Sequence, residues 1–176
     1  MKNNRLINLI STCFLILFFF TACARKPDRG YIVKVGDSVP DIEFQFDDST
    51  SAFLYSLDAK IVVLQFTASW CSVCRKEMPH LETEVWQEFK DRGVMLIGVD
   101  LDEPLEKVKG FKKQMKITYP MALDLGGKIF QLFAREGAGV TRNVVIDMIS
   151  KKIIFLTRLY NTEEFNMMIE KIKAGL

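Results

Sequence analysis

Between Ile61 and Phe66 the chain reads Ile-Val-Val-Leu-Gln-Phe, a near-continuous apolar run rich in β-branched residues. Such a run predicts a strand buried on both faces, as in the middle of a parallel sheet. From Ser72 to about Asp91, Met78, Leu81, Val85 and Phe89 recur at helical spacing, so an amphipathic helix follows the strand. Gly93 ends that helix, and Val94 to Val99 reads as a second buried strand. Asp102-Glu103-Pro104 then opens another helix, with acids at its positive end and apolar residues Leu105, Val108, Phe111 and Met115 on one face. Strand, helix, strand, helix in this order predicts a right-handed parallel unit and an α/β fold.

The flanking segments add smaller pieces. Asp41 to Phe46 and Ala52 to Leu57 predict a hairpin ahead of the parallel unit, and Lys128 to Arg135 a short helix. Asn143 to Ile146 and Lys151 to Thr157 predict an antiparallel strand pair. Thr162 is the expected N-cap of a last helix facing inward through Phe165, Met168, Ile169 and Ile172.

The beginning of the chain reads as a targeting signal. Lys2 and Arg5 precede an apolar stretch densest at Phe14 to Phe20, and small residues lead to Cys23. That order is the pattern of a secretory signal peptide, which takes no part in the fold. Phe20-Thr21-Ala22-Cys23 resembles a bacterial lipobox, with Phe20 in place of the usual Leu. The expectation is a lipoprotein signal over residues 1–22, lipidation at Cys23, a membrane-proximal linker over residues 23–35 and one domain over residues 36–176. An uncleaved anchor, or ordinary cleavage leaving a free Cys23 thiol, is the alternative. Either way the domain lies outside the cytoplasm beside a membrane, inner or outer not being decided. Without the leader, 22 basic and 22 acidic side chains remain, and a neutral chain lacking a long basic run offers no footprint for nucleic acid.

Four cysteines stand at positions 13, 23, 71 and 74. With Cys13 in the leader and Cys23 used by lipid, only Cys71 and Cys74 are left, so the domain is held by its core and not by a disulfide framework. His80 is the only histidine, which leaves no Cys₂His₂ zinc set, and no metal or other cofactor is expected. Trp70-Cys71-Ser72-Val73-Cys74 sits at the junction of the first buried strand and its helix, the context of a redox Cys-x-x-Cys. Residues three apart at a helix start share a face. The positive end of the helix and its unpaired N–H groups favour a thiolate at Cys71. Cys71 is therefore expected to be the exposed nucleophile and Cys74 the resolving thiol. A purely structural disulfide is the plainer alternative.

The run Ile61 to Pro79, with its WCSVC, is similar to the thioredoxin superfamily, and more narrowly to the exported ResA/TlpA-type thiol-disulfide oxidoreductases. The likeness extends over roughly Val35 to Leu176 and includes Ala68-Ser69-Trp70, Pro79 and Thr118-Tyr119-Pro120. It implies a thioredoxin-like fold: a central mixed sheet flanked by helices, with an N-terminal β-hairpin extension. It implies reduction of disulfides in exported proteins, apocytochromes c among them, with a membrane thiol reductant upstream. The buried Asp of cytoplasmic thioredoxin falls at Gln65, whereas Glu77 matches a glutamate of the exported subgroup and is the expected proton acceptor for Cys74, a surface glutamate on a solvated helix face being the alternative. The family's cis-proline loop corresponds to Gly139-Val140-Thr141-Arg142-Asn143, so Thr141 stands where proline is usual. A cis bond there would cost about 2.5–4 kcal/mol, which favours trans. Trp70, Val140 and Thr141 are the expected substrate-binding positions, Thr141 a candidate donor to the Cys71 thiolate and Arg142 a candidate positive neighbour or an ordinary loop residue.

Two rival functions share this fold. A thiol peroxidase needs a Pro-x-x-x-Thr-x-x-Cys motif, which the residues before Cys71 do not supply. A copper carrier of the Sco type needs a histidine distal to the cysteines, and none follows His80. Other residues take plainer roles: His80 at a solvated helix face, the methionines as core filler, Trp86 in packing, and Asp100, Asp102 and Glu103 at a loop and helix start.

Overall fold

The computed structural model describes residues 29–176. The leader over residues 1–22, Cys13 within it and the lipidation site Cys23 lie outside the described residues. A seven-stranded mixed sheet forms the centre, in the order β2-β1-β5-β4-β3-β6-β7. Within it lies β3 (Ile61–Thr67), an interior strand buried along its whole length. It pairs in parallel with β4 (Val94–Leu101) and antiparallel with β6 (Arg142–Asp147). Outside β4 lies β5 (Met121–Asp124), then the hairpin of β1 (Glu43–Phe46) and β2 (Ser51–Phe53). β7 (Lys152–Leu156) closes the other edge.

Side chains alternate across a strand, and β3 uses both faces. Val62, Leu64 and Phe66 join one core with Ile97, Val99 and Val144. Ile61 and Val63 join the other with Leu96, Val145 and the helices. Helix α1 begins at Ser72–His80 and continues through a π-helical turn, Leu81–Trp86, and a short α turn, Gln87–Phe89. Pro79 lies inside it. A proline there removes one donor and crowds the carbonyl four residues back, and the helix widens just after it. The predicted stripe holds across the irregularity: Met78, Leu81, Val85 and Phe89 are all buried. Helices α2 (Leu105–Met115) and α3 (Thr162–Ala174) cover the same core through Val108 and Phe111, and through Phe165, Met168 and Ile172.

Several local expectations are corrected. Asn161, not Thr162, caps α3, its side chain accepting from the Glu164 N–H. Over residues 128–135 the chain makes only a 3₁₀ turn, Phe130–Leu132. Asp124 fixes the approach to it by accepting the N–H groups of Ile129 and Phe130 at 2.8 Å each. The segment read as the end of a linker is held by the domain. Tyr31 bridges to Ala134, its hydroxyl donates to the Thr157 carbonyl at 2.5 Å, and the Ile32 N–H donates to the Phe133 carbonyl at 2.9 Å. Its polar composition hid one aromatic anchor. Replacing Tyr31 with Phe removes one partly buried hydrogen bond, so urea unfolding should show a loss of about 1 kcal/mol; an unchanged midpoint would mean that the segment is not anchored there.

Candidate active site

β3 ends at Thr67, and a turn closed by the Cys71 N–H on the Ala68 carbonyl (3.1 Å) delivers residue 71 to the start of α1. Cys71 is the N-cap of that helix. Its backbone is extended, and its sulfur accepts the Cys74 N–H at 3.1 Å. An N-cap acceptor satisfies one of the orphan amides of the first turn, and here that acceptor is sulfur. Cys71 and Cys74 form a disulfide, their Cα atoms 5.3 Å apart. Cys74 is fully buried, and Cys71 is only 8% exposed in this oxidised form, less than the open nucleophile expected from sequence.

Thr141 faces both sulfurs. Its Oγ1 lies 3.0 Å from Cys71 Sγ and 3.0 Å from Cys74 Sγ. No cis peptide occurs among the described residues, so the Val140–Thr141 bond is trans, and Thr141 has φ +74°. A β-branched residue resists that conformation. It is held there from two sides, its N–H on the Phe66 carbonyl and its carbonyl on the Leu159 N–H, both at 3.1 Å.

Beneath the cysteines, one turn further along α1, Glu77 is 1% exposed. It is not on a solvated helix face. Asn143 Nδ2 donates to it at 2.7 Å, and Gln65 Nε2 makes a longer contact at 3.5 Å. Gln65 in turn accepts the Tyr119 hydroxyl at 2.8 Å, and Asn143 Nδ2 also reaches Thr157 Oγ1 at 2.9 Å. Burial raises the Glu77 carboxyl to about 7, against the lowering effect of the two amides. A carboxyl poised there can exchange a proton near neutrality. Neither Asn143 nor Tyr119 was assigned this role from sequence: Asn143 comes opposite Gln65 only through the pairing of β6 with β3, and Tyr119 reaches Gln65 from the segment leading into β5.

A family model described as the AhpC/TSA family matches residues 35–153. The chain is 31% identical over 138 residues to the thiol-disulfide oxidoreductase ResA of Bacillus thuringiensis subsp. konkukian, an alignment covering 76% of this chain and 78% of that one. This chain is a ResA-type member of the AhpC/TSA family. Among solved structures it resembles a candidate protein disulfide isomerase from Bacteroides thetaiotaomicron at 50% identity and TM-score 0.79, over 84% of this chain and 92% of that one. A candidate thiol:disulfide interchange protein DsbE from Chlorobium tepidum shares the fold at 22% identity and TM-score 0.71, over 81% and 98%.

Around this ResA-type centre, Trp70 is 63% exposed and shares with Val140 a groove of about 350 Å³. Thr141, 1% exposed, is not part of its lining. Arg142 departs from both sequence readings. It is the first residue of β6 and points to the sheet face opposite Asn143, with its guanidinium 4.6 Å from the Tyr31 ring centroid and Nη1 on the Arg29 carbonyl at 2.6 Å. His80 stacks on Tyr160, and Trp86 Nε1 donates to Thr118. Asp102 does serve a loop, accepting the Gly126 N–H. Glu103 accepts the N–H and hydroxyl of Ser69 at 2.6 and 2.7 Å and pairs with Lys107, so it pins the turn leading to Cys71. Asp100 is no loop residue. It is fully buried within β4, and burial, followed by the neighbouring Glu103 charge, raises it to about 8.

Two predictions follow from this geometry. Glu77 and Asp100 both keep their protons to higher pH in the folded protein than in the unfolded chain. The native state thus binds more protons between about pH 4 and pH 8, and stability falls as pH rises through that window. Melting temperatures across it should drop for the parent protein and drop less for Asp100→Asn; parallel slopes would exclude Asp100 as a contributor. Thr141→Gly relieves the positive φ but deletes the hydroxyl. Stability should hold or rise, while alkylation of reduced Cys71 at neutral pH slows about tenfold, the value of one hydrogen bond to an anion.

Proposed function

We propose that this protein reduces disulfides in polypeptides of the bacterial envelope by dithiol exchange through Cys71 and Cys74. The observation that supports this best is the placement of the Cys71 sulfur. It caps the first turn of α1, 3.0 Å from the Thr141 hydroxyl, with its partner sulfur buried one turn inside. In the reduced protein the same N–H and hydroxyl face a thiolate, and hydrogen bonds to an anion are about twice as strong as neutral ones.

The Cys71 thiolate attacks one sulfur of a substrate disulfide, forming a mixed disulfide and releasing the other substrate sulfur as a thiolate. Cys74 passes its proton to the Glu77 carboxylate and attacks Cys71 Sγ. The mixed bond breaks, the second substrate sulfur leaves as a thiolate that takes up the proton held by Glu77, and the protein keeps the Cys71–Cys74 disulfide. The substrate gains two electrons and the protein loses two, so a membrane dithiol must recharge it. No further cofactor enters, because the sulfurs themselves hold the electrons. Location in the envelope is supported by the positive, apolar and small-residue order before Cys23, with Cys23 as the lipid-bearing residue.

Turnover tests the scheme. Cys71→Ser should abolish reduction of a single-disulfide peptide, and Cys74→Ser should accumulate the mixed disulfide. Glu77→Gln should leave the first attack intact, slow resolution at least tenfold, and remove a titration near pH 7 from the rate profile. Consumption of peroxide with no disulfide reduction would replace this reading with a peroxidase.

A further inference from the structure

Asp100 is fully buried near the end of β4, and neither of its carboxyl oxygens meets a donor. A bare carboxylate is among the costliest groups a core can hold. Its strand neighbours bring no charge: Thr67 lies opposite on β3 and Leu123 on β5. The chain then reverses through Asp102, at φ +56°, and the Glu103 carboxyl comes within hydrogen-bonding reach of Asp100. Glu103 and Lys107 are the charged groups that act on Asp100. Glu103, 3% exposed, is itself committed: it accepts the Ser69 N–H and hydroxyl and pairs with Lys107. Burial opposes its charge, yet Lys107, Ser69 and Asp100 together hold it below the usual carboxylate range. Two carboxyls in such contact do not both ionise. Glu103 has donors around it and Asp100 has none, so the proton sits on Asp100.

What that proton steadies is the turn before the nucleophile. Ser69 is held on both sides, its N–H and hydroxyl by Glu103 and its carbonyl by Arg75 Nε of α1 at 2.9 Å. Trp70 and Cys71 follow directly, and the Cys71 N–H closes the turn on Ala68. We propose that Asp100 is a positioning residue: it donates its carboxyl proton to Glu103, and Glu103 thereby holds Ser69 and the Trp70–Cys71 turn in place. Loss of the proton leaves two adjacent negative charges in a closed space. Asp100 is fixed within β4, so the pair separates by Glu103 leaving Ser69. The turn then loosens at alkaline pH through a group that touches neither sulfur nor substrate. The consequence for turnover rests on the exchange reading above; the shared proton does not.

The test follows Trp70 emission against pH in the oxidised protein, where neither cysteine titrates, with Trp86→Phe as the common background. Glu77, which titrates near 7, stays in every variant and cancels in the comparison. The parent should show a step near pH 8. Asp100→Asn, whose amide donates to Glu103 at every pH, should lack it. Glu103→Gln removes the charge that keeps the proton on Asp100 and should move the step to lower pH. At neutral pH the infrared band of protonated carboxyl should be weaker in Asp100→Asn than in the parent. With a single-disulfide peptide, Asp100→Leu should lower kcat/KM about tenfold, as for a reacting group slightly displaced, and Asp100→Asn should keep most of the parental value. Asp100→Asn and Glu103→Gln decide the matter whatever the folding of Asp100→Leu. A step of parental midpoint in Asp100→Asn overturns the proposal, as does an infrared band unchanged by that substitution or a step that stays in place in Glu103→Gln. If the parent protein reduces no disulfide, the exchange reading falls, while emission and infrared still decide the proton on Asp100.

Discussion

The first turn of any α-helix carries amide groups with no carbonyl to receive them, and in this protein one of them is met by sulfur. Everything else at the site serves to keep Cys71 at that spot. β3 is walled by strands on both edges and by side chains on both faces, so its end is fixed. Glu103 grips Ser69, which limits the path from Thr67 to the helix. Thr141, held in an unfavourable backbone conformation, supplies a hydroxyl from the other side.

The polar residues beneath the cysteines illustrate how a packed sheet accommodates chemistry. Gln65, Glu77, Tyr119 and Asn143 are all essentially excluded from water, and each has a hydrogen-bond partner within the group. A neutral amide at position 65 accepts from tyrosine and turns its other end to Glu77, so the buried carboxyl meets donors and no second charge on that side. Desolvation then does the tuning. The same effect at Asp100 has no such cradle: its oxygens find no donor, which is why burial and Glu103 together push it higher still.

The parallel unit of β3 and β4, the stripe of α1 and the cysteine junction were legible in the sequence because each is local: a run, a period or a spacing within a few residues. Glu77 was named on spacing and resemblance, but its burial was not visible, since that depends on Asn143 arriving from a strand 66 residues later. Arg142 shows the same limit. As a neighbour of Thr141 it invites placement beside the sulfurs, yet the two-residue alternation of β6 turns it away from Asn143 and Glu77, and its guanidinium is taken up by Tyr31. Tyr31 itself sits in a stretch without periodicity, where a single aromatic anchor leaves no pattern to read. The π-helical turn after Pro79 could be suspected from the proline but not located.

The antiparallel pairing of β6 with β3 makes the site a product of two distant parts of the chain. Thr141 and Asn143 belong to the last third of the chain, and they reach the cysteines only when that strand zips onto the sheet centre. Until then residues 71 and 74 are two ordinary thiols on a forming helix, without the hydroxyl above or the amide below. The environment that tunes the two sulfurs is thus a property of the closed sheet and not of the Cys-x-x-Cys segment by itself.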